Sequence, residues 1–134
     1  MKKHSLKEIE EKILKISIEL AREGRGALFV IGNNIKYEKL INQKFGEMNV
    51  FENGADKVLK GLAVIDGAVI IDLNGNMIDY GVLIKNTRPF VGFGTRHAAA
   101  ITASKGGNVV ILVSEEERKV KIFRDGKYLM QVDS

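Results

Sequence analysis

Cysteine is absent from this chain. Neither a disulfide framework nor a thiolate metal site can therefore be built, nothing marks a secreted protein, and a reducing cytoplasm is the expected compartment. Long hydrophobic runs are missing as well. No apolar stretch approaches the length that crosses a bilayer, and residues 1–11 are charged and lack the apolar centre of a signal peptide. No GxGxxG follows the first apolar run, and no GxxxxGK followed by Ser or Thr occurs, which excludes the Rossmann fingerprint and the P-loop. Internal repeats, low-complexity segments and linkers are also lacking. Residues 1–134 thus read as a single domain, long enough to bury roughly two-thirds of its unfolded surface.

A net charge of +4 and a pI near 9.3 suit an anionic partner: a nucleotide, a nucleic acid or an acidic surface. Against a nucleic-acid footprint, the basic residues are dispersed among Asp and Glu and do not interleave with aromatics as stacking surfaces do.

The pattern of apolar residues supplies the elements. Ser5 with Glu8 forms a capping box, and Leu6, Ile9, Ile13, Ile16 and Leu20 recur at helical spacing up to Gly24, so residues 1–23 read as an N-terminal amphipathic helix. Residues 27–131 then form the α/β core. Ala27 to Ile31 is a buried strand closed by Gly32-Asn33-Asn34. Ile35 to Phe45 mixes Tyr37, Leu40, Ile41 and Phe45 with charges, Ala55 to Leu62 reads as a short helix, and the stretch between is ambiguous. Ala68 to Asp72 and Met77 to Leu83 flank Asn74-Gly75-Asn76 and form a hairpin, with Asp72 and Asp79 as exposed turn or strand residues. The loop from Lys85 to Gly94 contains the only proline, Pro89, and leads to a helix from Thr95 to Lys105 ended by Gly106-Gly107. Asn108 to Val113 is a continuous apolar run of the kind found in central strands, and Lys119 to Phe123 pairs with Lys127 to Gln131 across Asp125-Gly126. The order predicts an α/β fold, a central mixed β-sheet flanked by α-helices, with sites at strand ends and helix starts.

Two segments point to phosphate chemistry. In Leu62 to Asp72, Asp66 interrupts an apolar run, and a carboxylate there needs a cation or hydrogen-bond donors. In the segment GFGTRHAAAITAS, glycines permit close backbone approach, Thr95 can cap the helix, and Arg96 and His97 stand where a helix offers free N–H groups to an anion. Glu115-Glu116-Glu117 reads as a solvated acidic turn, and Leu83 as a core residue of its strand.

Asp66-Gly67-Ala68 after a helix, then Gly94-Thr95-Arg96-His97 opening another, then Ser114-Glu115-Glu116 after a strand, resembles the diadenylate cyclase domain, with the likeness running from Ala27 to the last hairpin. That resemblance implies an αβα sandwich that condenses two ATP into cyclic di-AMP, releasing two pyrophosphates, at a face-to-face homodimer or higher oligomer. It implies a divalent metal cofactor, Mn or Mg and also Co, held by Asp66 and Glu116. Asp66, Gly67, Ala68, Arg96 and His97 match the catalytic motifs. Leu83, Gly94, Thr95, Arg96, His97, Ser114 and Glu115 match nucleotide contacts, Leu83 lying near the adenine. The chain departs from the pattern at Ala98, where many members carry a second arginine, and at Ile65, where some bacterial members carry a histidine. Lys105 and Lys85 are the cations that could replace the missing arginine. A degenerate module that binds ATP or cyclic di-AMP without turnover is the alternative.

Overall fold

The computed structural model describes residues 4–39, 48–65, 67–85, 87 and 95–133. Its first helix, α1 (Leu6–Arg22), starts where the sequence places it: Ser5 accepts from the Glu8 amide while the Glu8 side chain accepts from the Ser5 amide, satisfying two end donors. Ile9, Ile13, Ile16 and Leu20 are buried along one stripe, as the helical spacing requires. Strand β1 (Ala27–Ile31) follows, buried along its whole length.

Strand β2 (Tyr37–Lys39) falls in the mixed segment from Ile35 to Phe45, and β3 (Met48–Asn49) in the ambiguous stretch after it, with residues 40–47 outside the described residues. Helix α2 (Ala55–Ala63) precedes β4 (Ala68–Ile71) and β5 (Asn76–Ile84), which form the expected hairpin. Asp72 closes its turn by accepting from the Asn74 and Asn76 amides. Helix α3 (Thr95–Ser104), β6 (Val109–Ser114), β7 (Lys119–Arg124) and β8 (Lys127–Asp133) complete the chain.

The eight strands among the described residues join one sheet in the order β2-β5-β4-β1-β6-β7-β8, with β3 paired to the start of β5. The β1–β4 pair is parallel and the other pairs are antiparallel, so the sheet is mixed. Strand alternation splits the core. Phe29, Ile31, Val69 and Ile71 face α1 and α2, whereas Leu28, Val30, Ala68 and Ile70 join Ala100 and Ala103 of α3 on the other face. The α/β reading with helices on both sides of a mixed sheet therefore holds. No described helix is long and apolar enough to cross a membrane.

Two exposure expectations are corrected. Asp79 is buried, at 8% exposure, because Tyr37 donates to it at 2.6 Å and Lys39 pairs with it at 2.9 Å across the β2–β5 ladder. Leu83 is not core: it is 49% exposed, since its neighbours Val82 and Ile84 take the α3-side core and alternation turns it away from them.

Candidate functional site

The strand register explains why distant segments meet. Ala27, at the start of β1, pairs with Val113 at the end of β6, and β1 runs parallel to β4, with Phe29 beside Val69. Ala68 in turn pairs with Val82. One end of the sheet therefore gathers Gly26, Gly67, Ala68, Val82, Leu83 and Ser114, residues from four strands or the positions next to them.

Gly67 is required there by its backbone. It has φ +108°, a region L side chains rarely adopt, and an added Cβ would lie 2.7 Å from the Gly81 carbonyl carbon and 2.8 Å from the Val82 nitrogen. Asp66 and Gly94 lie outside the described residues.

Helix α3 brings its first turn to the same end. Thr95 is its first residue. Arg96 extends its guanidinium over Gly26, where a Cβ would come within 2.0 Å of Nη1, and pairs with Glu115 at 3.7 Å. Both partners are substantially exposed, so this long ion pair contributes little and is easily exchanged. The first turn of α3 has no acidic residue. Arg96 at the positive end of a helix dipole leaves an unmet demand for negative charge, which Glu115 supplies only in part.

His97 takes a different direction. Its Nε2 lies 3.0 Å from Lys121 Nζ, and its ring packs edge-on against Phe123 with centroids 6.3 Å apart. Lys121 is itself paired with Glu117 at 2.7 Å. Burial and then the neighbouring Lys121 charge push the imidazole below its ordinary pKa, with Glu117 acting in the opposite sense. The Lys121 hydrogen bond lowers the Glu117 carboxyl. The two motif side chains are thus held by opposite ends of one acidic turn: Arg96 by Glu115, and His97 through Lys121 by Glu117.

Ser114 ends β6 and accepts from the Glu117 amide, while Glu115 and Glu116 are exposed. Among the described residues, no three His, Cys, Asp or Glu side chains cluster as a metal site. Ala98, in place of a second arginine, is 2% exposed and occupies a packed position. Lys105 cannot replace that arginine. It follows the C-terminal end of α3, a helix about 15 Å long, and its side chain lies against Gly126. Lys85 donates its amide to Lys36 at the edge of the sheet beyond β5.

Sequence reasoning passed over Gly26 and Lys121, and gave Glu117 only as part of a solvated acidic turn. The signal for Lys121 was available: it shares a strand face with Phe123, a core-facing position where lysine needs a partner. Gly26 gave only a glycine before a buried strand, and its role appears once α3 is in place.

A family model described as DisA bacterial checkpoint controller nucleotide-binding matches residues 16–128. A diadenylate cyclase of Methanocaldococcus jannaschii is 32% identical over 98% of this chain and 46% of its own length. One from Haloferax volcanii is 27% identical over 90% of this chain and 51% of its own. The chain spans about half the length of these curated relatives. Among solved structures, a hypothetical membrane spanning protein from Bacillus cereus shares the fold at a TM-score of 0.67, with 21% identity over 93% of this chain and 63% of its own. A double-mutant DacA from Staphylococcus aureus does so at 0.62, with 22% identity over 96% and 88%.

Proposed function

Because the chain belongs to the diadenylate cyclase domain family, we propose that it joins two ATP molecules into cyclic di-AMP, releasing two pyrophosphates. The observation that carries this reading is the seating of Arg96: its guanidinium lies over Gly26 and pairs loosely with Glu115, at the sheet end where Gly67 leads into β4. A cation held by a weak, exposed partner at a helix start is ready to exchange that partner for phosphate.

Each 3′-hydroxyl must attack the α-phosphate of the other nucleotide in line. Arg96 binds phosphate oxygens in fork geometry, the N–H groups after Thr95 add a dipole-assisted cradle, and Leu83 offers an exposed apolar surface for adenine. Ser114 and Glu115 border the nucleotide. Gly67 and Ala68 keep the backbone beneath it thin. Asp66 orients the attacking hydroxyl and, with Glu116, would hold a divalent ion, a donor set of carboxylate oxygens that suits hard cations such as Mg²⁺ or Mn²⁺. Such an ion supplies phosphate charge neutralisation and a lowered hydroxyl pKa. One protomer carries one ATP, so two protomers face each other as a symmetric homodimer.

The test is to incubate the chain with ATP and Mg²⁺, Mn²⁺ or Co²⁺ and to analyse the nucleotides by mass spectrometry beside Asp66→Asn. Cyclic di-AMP from wild type, with a loss of roughly 10²- to 10³-fold in the variant, is expected. ATP that binds to the folded protein and stays intact with every metal would replace the cyclase by a nucleotide-binding module.

A further inference from the structure

We infer that Lys121, braced by Glu117, is a positioning residue of the nucleotide site: it holds His97 as a neutral imidazole with Nε2 accepting and the proton on Nδ1. This inference deepens the cyclase reading and rests on it for the identity of the ligand.

An ammonium group has three donors and no lone pair. Lys121 Nζ, paired with a carboxylate 2.7 Å away, can therefore meet Nε2 of His97 at 3.0 Å only by donating to it. Nε2 is then unprotonated, and a neutral imidazole carries its proton on the other nitrogen. Lys121 is 8% exposed and lies in the six-pair ladder of β7 with β6, so the donor is fixed by strand geometry rather than by a mobile stem. Phe123, two residues on, closes the ring from its edge. The brace crosses a single turn, since Glu117 precedes β7 and Lys121 lies within it.

The arrangement divides labour within the Thr95-Arg96-His97 motif. Arg96 brings the positive charge, and His97 is held in one orientation without adding another. The cation that faces His97 remains behind the ring, on β7, and Ala98 next to it adds no charge.

The experiment uses ¹⁵N-histidine-labelled protein, with NMR of the ring nitrogens near neutral pH and without nucleotide, beside ATP turnover kinetics. His97 is expected as the Nδ1–H tautomer in wild type. Lys121→Met, which keeps the aliphatic stem, should move it toward Nε2–H and raise KM for ATP about tenfold, the lower end of what a hydrogen bond to a charged group contributes, with kcat changing less. Glu117→Gln, outside the strand, should give a smaller shift in the same direction and guards against a folding defect in the first variant. Wild-type His97 as Nε2–H or as imidazolium overturns the inference, as does an unchanged tautomer in both variants. Absence of cyclic di-AMP from wild type would instead remove the cyclase reading while the ring-nitrogen spectra still decide the role of Lys121.

Discussion

Gly26 and Arg96 occupy one volume. An alanine at Gly26 would place its Cβ 2.0 Å from Arg96 Nη1, and the cheapest escape is for the flexible guanidinium to swing off the sheet end. Gly26→Ala should therefore keep the fold, with unfolding free energy within about 1 kcal/mol of wild type, while ATP-dependent product formation falls about tenfold through KM. Chemical denaturation and steady-state kinetics on the same preparation check both halves, and an unchanged KM would remove Arg96 from the phosphate site. Gly67 offers no such escape, because its added Cβ would meet backbone atoms of Gly81 and Val82. The two glycines look alike in sequence and differ in what stands over them.

Strand β2 is short, yet it is anchored by a polar trio, Tyr37, Lys39 and the buried Asp79. Burial, and then the hydrogen bond to Asp79, push the Tyr37 phenol up to about 12 from an ordinary 10.0. The folded state thus favours the protonated phenol. The stability this contributes is complete below pH 10 and is lost as pH rises through about 12. An ultraviolet titration should show one tyrosine ionising near the upper value and that step disappearing in Tyr37→Phe; a phenol titrating at 10.0 would refute the shift. The trio also marks the limit of sequence reading. Elements set by local signals were legible: the capping box at Ser5 and Glu8, the turn at Asn74-Gly75-Asn76, the continuous run of β6, and with them the αβα layering. Tyr37, Lys39 and Asp79 come together only through cross-strand pairing, so Asp79 looked exposed and β2 was hidden in a segment that mixes apolar residues with charges. His97 was legible as a motif residue, but its turn toward Lys121 depends on how α3 lies across β7.

At the scale of the molecule, the proposed chemistry requires a pair of protomers, each with its own Asp66. Adding excess Asp66→Asn chain to wild type should form mixed pairs able to make only one phosphodiester bond. Cyclic product per wild-type chain then falls as the variant is added, and a linear dinucleotide accumulates in mass spectra. Output that stays constant would rule out the face-to-face pair. The sheet order has a consequence for the chain before it is complete. β1 is apolar throughout and takes β4 as one neighbour, but its other neighbour, β6, lies about 80 residues further along. During synthesis, or in any product truncated before Val109, β1 presents an open hydrophobic edge with no charge or proline to discourage foreign strands. The residues most central to the finished sheet are therefore the ones that most need protection from aggregation while the protein is being made.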